Sequence, residues 1–393
     1  MKEGKSKGSG DTLVTLAIHS YEKAQILQTL LQDAGIEASL HNVNQLLPVV
    51  SAGVRVRIKE KDLPRALSLI EETDWMRDEV YSELNWVDRK VQGAIHADSP
   101  YVLIPVDFSD YTPTVCSVGF YFAQRRNLSV LIVNAYFSQF FTAAPMFTGD
   151  ITGYQAASEL NIKREAGKAD AKMTQLKEEL RRQIKEGALP DVPFDTLLKD
   201  GAPDEVILTL AKEKPPVAIV MGTRGKSRRN GELIGSVAAE VIDSAKVPVL
   251  VVPEEVAITD LSNIENVGVA TGFDQRDLVL FDRMMSLMKP IHPKYYIFNI
   301  SKKMEEWSET ELKAILAYHK QHYPDQEISF SMLQDGDFSE ALQAFIEEKK
   351  IGMLVVNTYR RNLFARLFNP GMARRMLFHA NTPLLVMHSS SWR

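Results

Sequence analysis

Cysteine is almost missing from this sequence. Its 393 residues include one, Cys116. That excludes an internal disulfide framework and any zinc site built from several cysteines, and it fits a reducing compartment. Long apolar runs are also missing. No stretch approaches the roughly 18 apolar residues that a membrane-spanning helix needs. No charge of one sign dominates: 46 Lys and Arg stand against 51 Asp and Glu, for a net charge of −5. Broad attraction to nucleic acid or to a membrane surface is therefore not indicated. Residues 1–10 are charged and rich in Gly and Ser, without the apolar core of a signal segment, and read as a floppy tail. Together these absences point to the cytoplasm. What remains is ordinary: 45% hydrophobic and 25% charged residues, with a length that suits two or three globular domains.

Hydrophobic periodicity divides the chain into three units. Residues 12–18 read as a strand. Residues 21–34 read as a helix, with Ile26, Leu27, Leu30 and Leu31 at helical spacing and Gly35 as its stop. Two more strands (36–40 and 54–58) and a helix (63–70) complete a small β-α-β-β-α domain over 11–73, followed by a charged linker over 74–98. From residue 101, strands at 101–106, 129–135, 192–198, 217–221 and 247–252 alternate with helices at 112–126, 156–187, 203–214 and 235–245. Thr112 is placed as the N-cap of the first of these helices, with Pro113 at its first position. The aromatic, Gly-containing stretch 137–155 reads as a loop insertion. Strands alternating with helices predict a parallel sheet covered on both faces, an α/β domain over 99–255.

After Pro253 the pattern restarts, with strands at 266–271, 294–299, 327–333, 352–357 and 382–387. Residues 197–252 align without a gap onto 332–387. Thirteen of the 56 positions are identical, among them Asp200/Asp335, Gly201/Gly336, Thr223/Thr358 and Pro248/Pro383. About three or four would be expected by chance. At the front, Val102 and Phe108 match the spacing of Val267 and Phe273. A second copy of the α/β unit is therefore expected over 262–390, in tandem with the first.

The chemistry concentrates after the fourth strand of the first copy. There Gly222, two residues, Gly225, nine residues, Gly235 and Ser236 lead into a helix. Glycines let backbone N–H groups approach phosphate oxygens closely, and a helix start adds unpaired donors and partial positive charge. Arg224, Lys226, Arg228 and Arg229 supply local cationic charge. The loop is not a P-loop, because Val220 stands where that pattern needs its first glycine. Asp107 follows the first strand and Gly222 the fourth. Neighbouring strand ends of an open α/β sheet form a ligand crevice where strand order reverses.

The Gly-x2-Gly-x9-Gly-Ser pattern after Val220-Met-Gly-Thr223 resembles the ATP-binding branch of the universal stress protein family. So do Ile104-Pro-Val-Asp-Phe-Ser-Asp110 and Lys246-Val-Pro-Val-Leu-Val-Val-Pro253. The resemblance implies Rossmann-like five-stranded parallel sheets in the order 3-2-1-4-5, with ATP as ligand and Mg²⁺ on its phosphates. Carried over by position, the nucleotide contacts are Pro105 and Asp107, the backbone of Ala135 against adenine, and Met221, Gly222, Arg224, Gly225, Gly235, Ser236 and Val237. It further implies an intrachain pseudo-dimer of the two copies through their last strands and allows a homodimer. In the second copy the motif positions become Asn357, Arg360, Pro370 and Gly371, and Asp107 becomes Gly272, so no ATP is expected there. The small first domain resembles bacterial signal-transducing domains of ferredoxin-like α+β topology. With no P-loop lysine, paired carboxylates or nucleophile–base set, no catalytic or metal-ligating residue is assigned, and at most slow ATP hydrolysis is expected. The resulting expectation is a nucleotide-responsive stress or signalling regulator. The alternative is a non-nucleotide scaffold that keeps the glycine loop as a relic.

Overall fold

The computed structural model describes residues 13–19, 21–41, 54–72, 99–136, 151–223, 235–256, 259–271, 275–289, 291–299, 317–332, 338–357 and 382–387. The tail over 1–10 and the whole of the linker over 74–98 lie outside these residues.

The first unit comprises β1 (Leu13–His19), α1 (Tyr21–Asp33), β2 (Ala38–His41), β3 (Val54–Lys59) and α2 (Leu63–Glu72). Its three strands form an antiparallel sheet in the order β1-β3-β2. Strand β3 buries Val54, Val56 and Ile58 and leaves Arg55 and Arg57 half-buried, as the two-residue period of a one-sided sheet requires. Helix α1 lays Ala24, Leu27 and Leu31 on the same core. The left-handed backbone of Gly35, φ +72°, then ends the helix, a conformation that costs glycine little.

The remaining elements are β4 (Tyr101–Pro105), α3 (Thr112–Gln124), β5 (Ser129–Tyr136), α4 (Ile151–Lys185), β6 (Phe194–Asp200), α5 (Pro203–Glu213), β7 (Ala218–Gly222), α6 (Ser236–Ser244) and β8 (Val249–Val252). They continue with β9 (Asn266–Thr271), α7 (Gln275–Met288), β10 (Lys294–Asn299), β11 (Ile328–Met332), α8 (Phe338–Glu348), β12 (Met353–Asn357) and β13 (Leu384–Met387). All ten strands join one sheet, in the order β11-β10-β9-β12-β13-β8-β7-β4-β5-β6. Neighbours run parallel except at the middle, where β13 and β8 pair antiparallel through Leu384–Val251, Leu385–Leu250 and Val386–Val249.

Both faces are covered. Helices α3, α4 and α7 contribute to one core, and α5, α6 and α8 to the other. Strand β4 shows the consequence within one strand. Val102 and Ile104 enter the first core, Tyr101 and Leu103 the second, and all four are buried, the pattern of a sheet with no wet face.

Several boundaries differ from the sequence reading. Helix α4 begins at Ile151, inside the stretch expected to be a loop. Gly153 did not stop it, since one glycine costs a 35-residue helix only about 1 kcal/mol; residues 137–150 lie outside the described part. Strand β6 runs two residues later than expected, to Asp200. Thr112 is not the cap of α3. Tyr111 holds that position, Pro113 keeps its place in the first turn, and no side chain caps the helix. Thr112 Oγ1 is buried without a hydrogen-bond partner.

Candidate functional site

In the first half of the large sheet the order in which strands are added reverses between β4 and β7. Helix α3, which follows β4, lies on one face and α6, the next helix after β7, lies on the other, the arrangement that opens a crevice at the carboxyl ends of two neighbouring strands. The two strands also part company there. They pair through Val102–Ala218 and Leu103–Ile219 only, two residues short of the end of β4 and three short of the end of β7.

Pro105 supplies the reason. The Val106 N–H donates to the Val133 carbonyl on β5 at 2.8 Å. Backbone groups alternate sides along a strand, so position 105 faces β7, where a proline has no N–H to give. The same alternation orients the other walls. The Thr223 N–H donates to Val252 on β8 at 3.1 Å, which turns the Gly222 peptide groups toward β4. The Tyr136 carbonyl accepts from Gly201 on the β6 side at 3.1 Å, which turns the N–H and C=O of Ala135 toward the space that β4 vacates.

The loop after β4 is held in place by side chains that sequence reasoning missed. The buried Asn134 Nδ2 donates to the Val106 carbonyl at 2.8 Å. Phe108 adopts a left-handed φ of +56°, costly for a residue with a Cβ, while its ring packs against the core. Asp107 is half-buried, and its Oδ1 accepts from the Ser109 N–H at 3.1 Å. That shapes its own turn.

On the opposite wall, the Tyr111 hydroxyl donates to the Val252 carbonyl. Burial pushes this phenol well above its usual range, and Glu254 adds to the shift against a hydrogen bond with Thr223. The Gly235 N–H donates to the Thr223 carbonyl at 2.7 Å. Thr223 and Gly235 are thus held together. Asn134, the lone Asn in the apolar β5, and Thr223 in the repeated Thr223/Thr358 pair were the available signals for these supports.

Gly235, Ser236 and Val237 meet at the start of α6. Gly235 is the N-cap, extended at φ −69° and ψ 156°, with no capping side chain. Its own N–H is committed to Thr223, so the donors at this terminus belong to the residues after it, starting with Ser236 and Val237. Met221 is 5% exposed, with its side chain in the second core, so only its backbone can reach the crevice. Pro105, Asp107, Ala135, Gly222 and Gly235–Val237 are brought to one end of the sheet. Arg224 and Gly225, with Lys226, Arg228 and Arg229, lie outside the described residues.

The second half keeps the register and closes the gap. Val267 pairs with Met353 and Gly268 with Leu354, as Val102 and Leu103 do with their partners. There the pairing continues through Val269–Val355 and Ala270–Val356. Ala270 stands where Pro105 does, and it has an N–H. Asn357 ends β12; Gly272, Arg360, Pro370 and Gly371 lie outside the described residues.

Comparison with known proteins accords with this arrangement. The model of the universal stress protein family matches residues 101–253. A universal stress protein of Thermus aquaticus, from the QAH/OAS sulfhydrylase 3′ region, is 31% identical over 152 residues, 38% of this chain and 96% of that protein. The chain belongs to the universal stress protein family. A second family member, YxiE of Bacillus subtilis, is 29% identical over 156 residues, 38% of this chain and 97% of its own. Among solved structures, a universal stress protein from Archaeoglobus fulgidus aligns over 75% of this chain and 100% of its own, with a TM-score of 0.50 at 16% identity. That likeness concerns the fold and reaches beyond the matched family segment. No helix among the described residues is long and apolar enough to cross a membrane.

Proposed function

We propose that the crevice between β4 and β7 binds an adenine nucleotide, and that this universal stress protein acts as a nucleotide-responsive regulator of a stress or signalling process. The observation that carries the reading is the parting of β4 and β7 at Pro105, with the backbone of Gly222 and Ala135 turned into the gap. Backbone donors and acceptors at Ala135 suit the polar edge of adenine, and the Asp107 carboxylate suits ribose hydroxyls. Ser236 and Val237, at an uncapped helix start, suit phosphate oxygens. Arg224 and Gly225 are proposed to complete the phosphate side, with Met221 contributing backbone only.

When bound, the nucleotide would supply phosphate charge to the backbone donors of Ser236 and Val237 at the start of α6. Mg²⁺ is proposed to accompany the phosphates. The two halves of the sheet are proposed to be tandem copies of one unit, arranged as a pseudo-dimer about the β8–β13 seam, with the zipped second copy empty of nucleotide.

Mass spectrometry of the denatured full-length protein for co-purifying nucleotide, with thermal melts in ATP, ADP and AMP, tests the reading. Saturation at about one hundred times Kd should add about 2.7 kcal/mol. The double variant Gly222→Val with Ser236→Ala should show neither nucleotide nor shift. A wild-type protein without nucleotide and without a shift in millimolar ATP would instead favour the scaffold.

A further inference from the structure

The small first domain keeps a core of its own. Val14, Leu27, Val56 and Ile58 belong to it, and none of its described residues joins either core of the large sheet. Residues 73–100 separate its last helix from β4. Among the described residues, its principal packing on the rest of the chain is β1 against α6. Strand β1 is an edge of the three-stranded sheet, and a helix laid against an edge strand is one way in which proteins protect it.

Helix α6 shows the other side of this contact. Ala238, Val241 and Ile242 enter the second core. At about 100° per residue, Glu240 lies about 150° around the helix from their mean direction. It points away from the sheet and yet is only 3% exposed. The outer face of α6 is therefore covered. Glu240 Oε1 accepts from Ser244 Oγ at 3.0 Å, and the residue is engaged elsewhere too, so its burial does not leave it without partners. Ser236 precedes Glu240 by four residues. Both stand on one face of α6, about 6 Å apart along its axis.

We propose that the small domain senses occupancy of the crevice through α6. The inference rests on the nucleotide reading above, in which Ser236 and Val237 meet phosphate. With 9 residues, α6 is shorter than the roughly 12 at which an isolated helix becomes even marginal, so its first turn depends on what packs on it. Strand β1 holds the helix from outside, and phosphate holds the same helix at its start. Each lowers the ordering cost that the other must meet. Docking and nucleotide therefore favour each other, and by linkage each strengthens the other by the same factor. Without a shared hydrophobic core, the docked arrangement is one that a ligand can shift. The nucleotide-bound protein holds the small domain docked, and the free protein releases it more often.

Hydrogen exchange of the full chain with and without ATP tests the coupling, and calorimetry with ATP on the same samples reports binding separately. In the wild type, saturating ATP should slow the amides of β1 and β3 about fivefold or more. Glu240→Arg places a larger side chain of opposite charge on the outer face of α6 and leaves the sheet cores untouched. It should weaken ATP about fivefold or more and make exchange in β1 and β3 indifferent to ATP. Circular dichroism and exchange in β4–β8 report whether this variant folds; if it does not, the wild-type comparison decides alone. ATP that binds without slowing β1 and β3 overturns the inference and leaves the nucleotide reading standing. So does a Glu240→Arg variant whose β1 and β3 still respond to ATP, whether or not its affinity falls, since docking would then not run over the outer face of α6. A wild type that binds no ATP removes the nucleotide reading, and the inference with it.

Discussion

Replacing Pro105 with alanine tests what holds the crevice open. Position 105 faces β7, and an alanine there would bring the N–H that Ala270 has at the matching place in the second half, where pairing runs on to Val356. The substitution should let β4 and β7 pair further, toward Ile104–Val220 and 105–Met221. Two terms act on stability. One added ladder bond contributes about 0.5–1.5 kcal/mol, while the loss of proline's stiffness in the unfolded chain costs about 0.4–1 kcal/mol. These nearly cancel, so urea denaturation should show a change within about 1 kcal/mol.

Binding feels only the first term, because nucleotide must then reopen the added bond. Affinity should fall by about two- to twelvefold. A lost contact with the proline ring could also weaken binding, so amide hydrogen exchange is the deciding assay. The new amide at 105 should exchange slowly in the free protein and quickly in the complex. Fast exchange in the free variant would refute the argument, as would a protected amide with unchanged affinity. The reverse change, Ala270→Pro, removes a bond between strands whose Val355 and Val356 are buried. It should cost at least about 1–3 kcal/mol without giving the second half a nucleotide.

The remaining predictions concern the supports of the site and the core. Asn134→Ala removes the donor to the Val106 carbonyl; it should cost about 1–3 kcal/mol in chemical denaturation and weaken nucleotide binding by loosening the turn that carries Asp107. In Gly119→Ala on α3, the new Cβ would lie 2.2 Å from Ile104 Cδ1, an overpacking cost of about 1–3 kcal/mol offset by about 1 kcal/mol of helix propensity. Ile104→Val removes the clashing atom, so the double variant should be more stable than the summed single effects by about 1 kcal/mol or more. Cys116 is fully buried, and burial pushes its thiol from 9.0 to about 12; an aromatic disulfide reagent should label it only as fast as the protein unfolds. The folded thiol keeps its proton where the unfolded one releases it, so this stabilisation is present below about pH 9 and lost as pH rises through about 12. Cys116→Ala should flatten the alkaline slope by about 1.4 kcal/mol per pH unit.

Much of the fold was legible because burial on both faces of a parallel sheet leaves apolar runs between helices. Every described strand overlaps a segment anticipated from hydrophobicity. The misplacements have local causes. Strand β6 is an edge strand, and edges accept charge, so Lys199 and Asp200 concealed its extent. Tyr111 displaced Thr112 as the cap because its hydroxyl reaches Val252, more than a hundred residues away, a tertiary bond that local capping rules do not contain.

The site divides along the same line. The glycines, Asp107 and the helix start were visible as residue types at fixed spacing. What makes them a crevice was visible only as a letter. Pro105 stands in the sequence, but a proline at the end of a strand is unremarkable in itself. Its effect depends on which neighbour it faces, and alternation reverses that with a shift of one residue. With the opposite parity Pro105 would face β5, the Val106 N–H would face β7, and the gap would lie on the other side of β4. The bond from Val106 to Val133 fixes that parity, and with it the strand pair that opens. The second half shows the same register with Ala270 in place of the proline, and its strands stay paired. The difference between the open and closed halves therefore traces to one missing N–H. Sequence comparison of the glycine motifs alone would have assigned that difference to the loop.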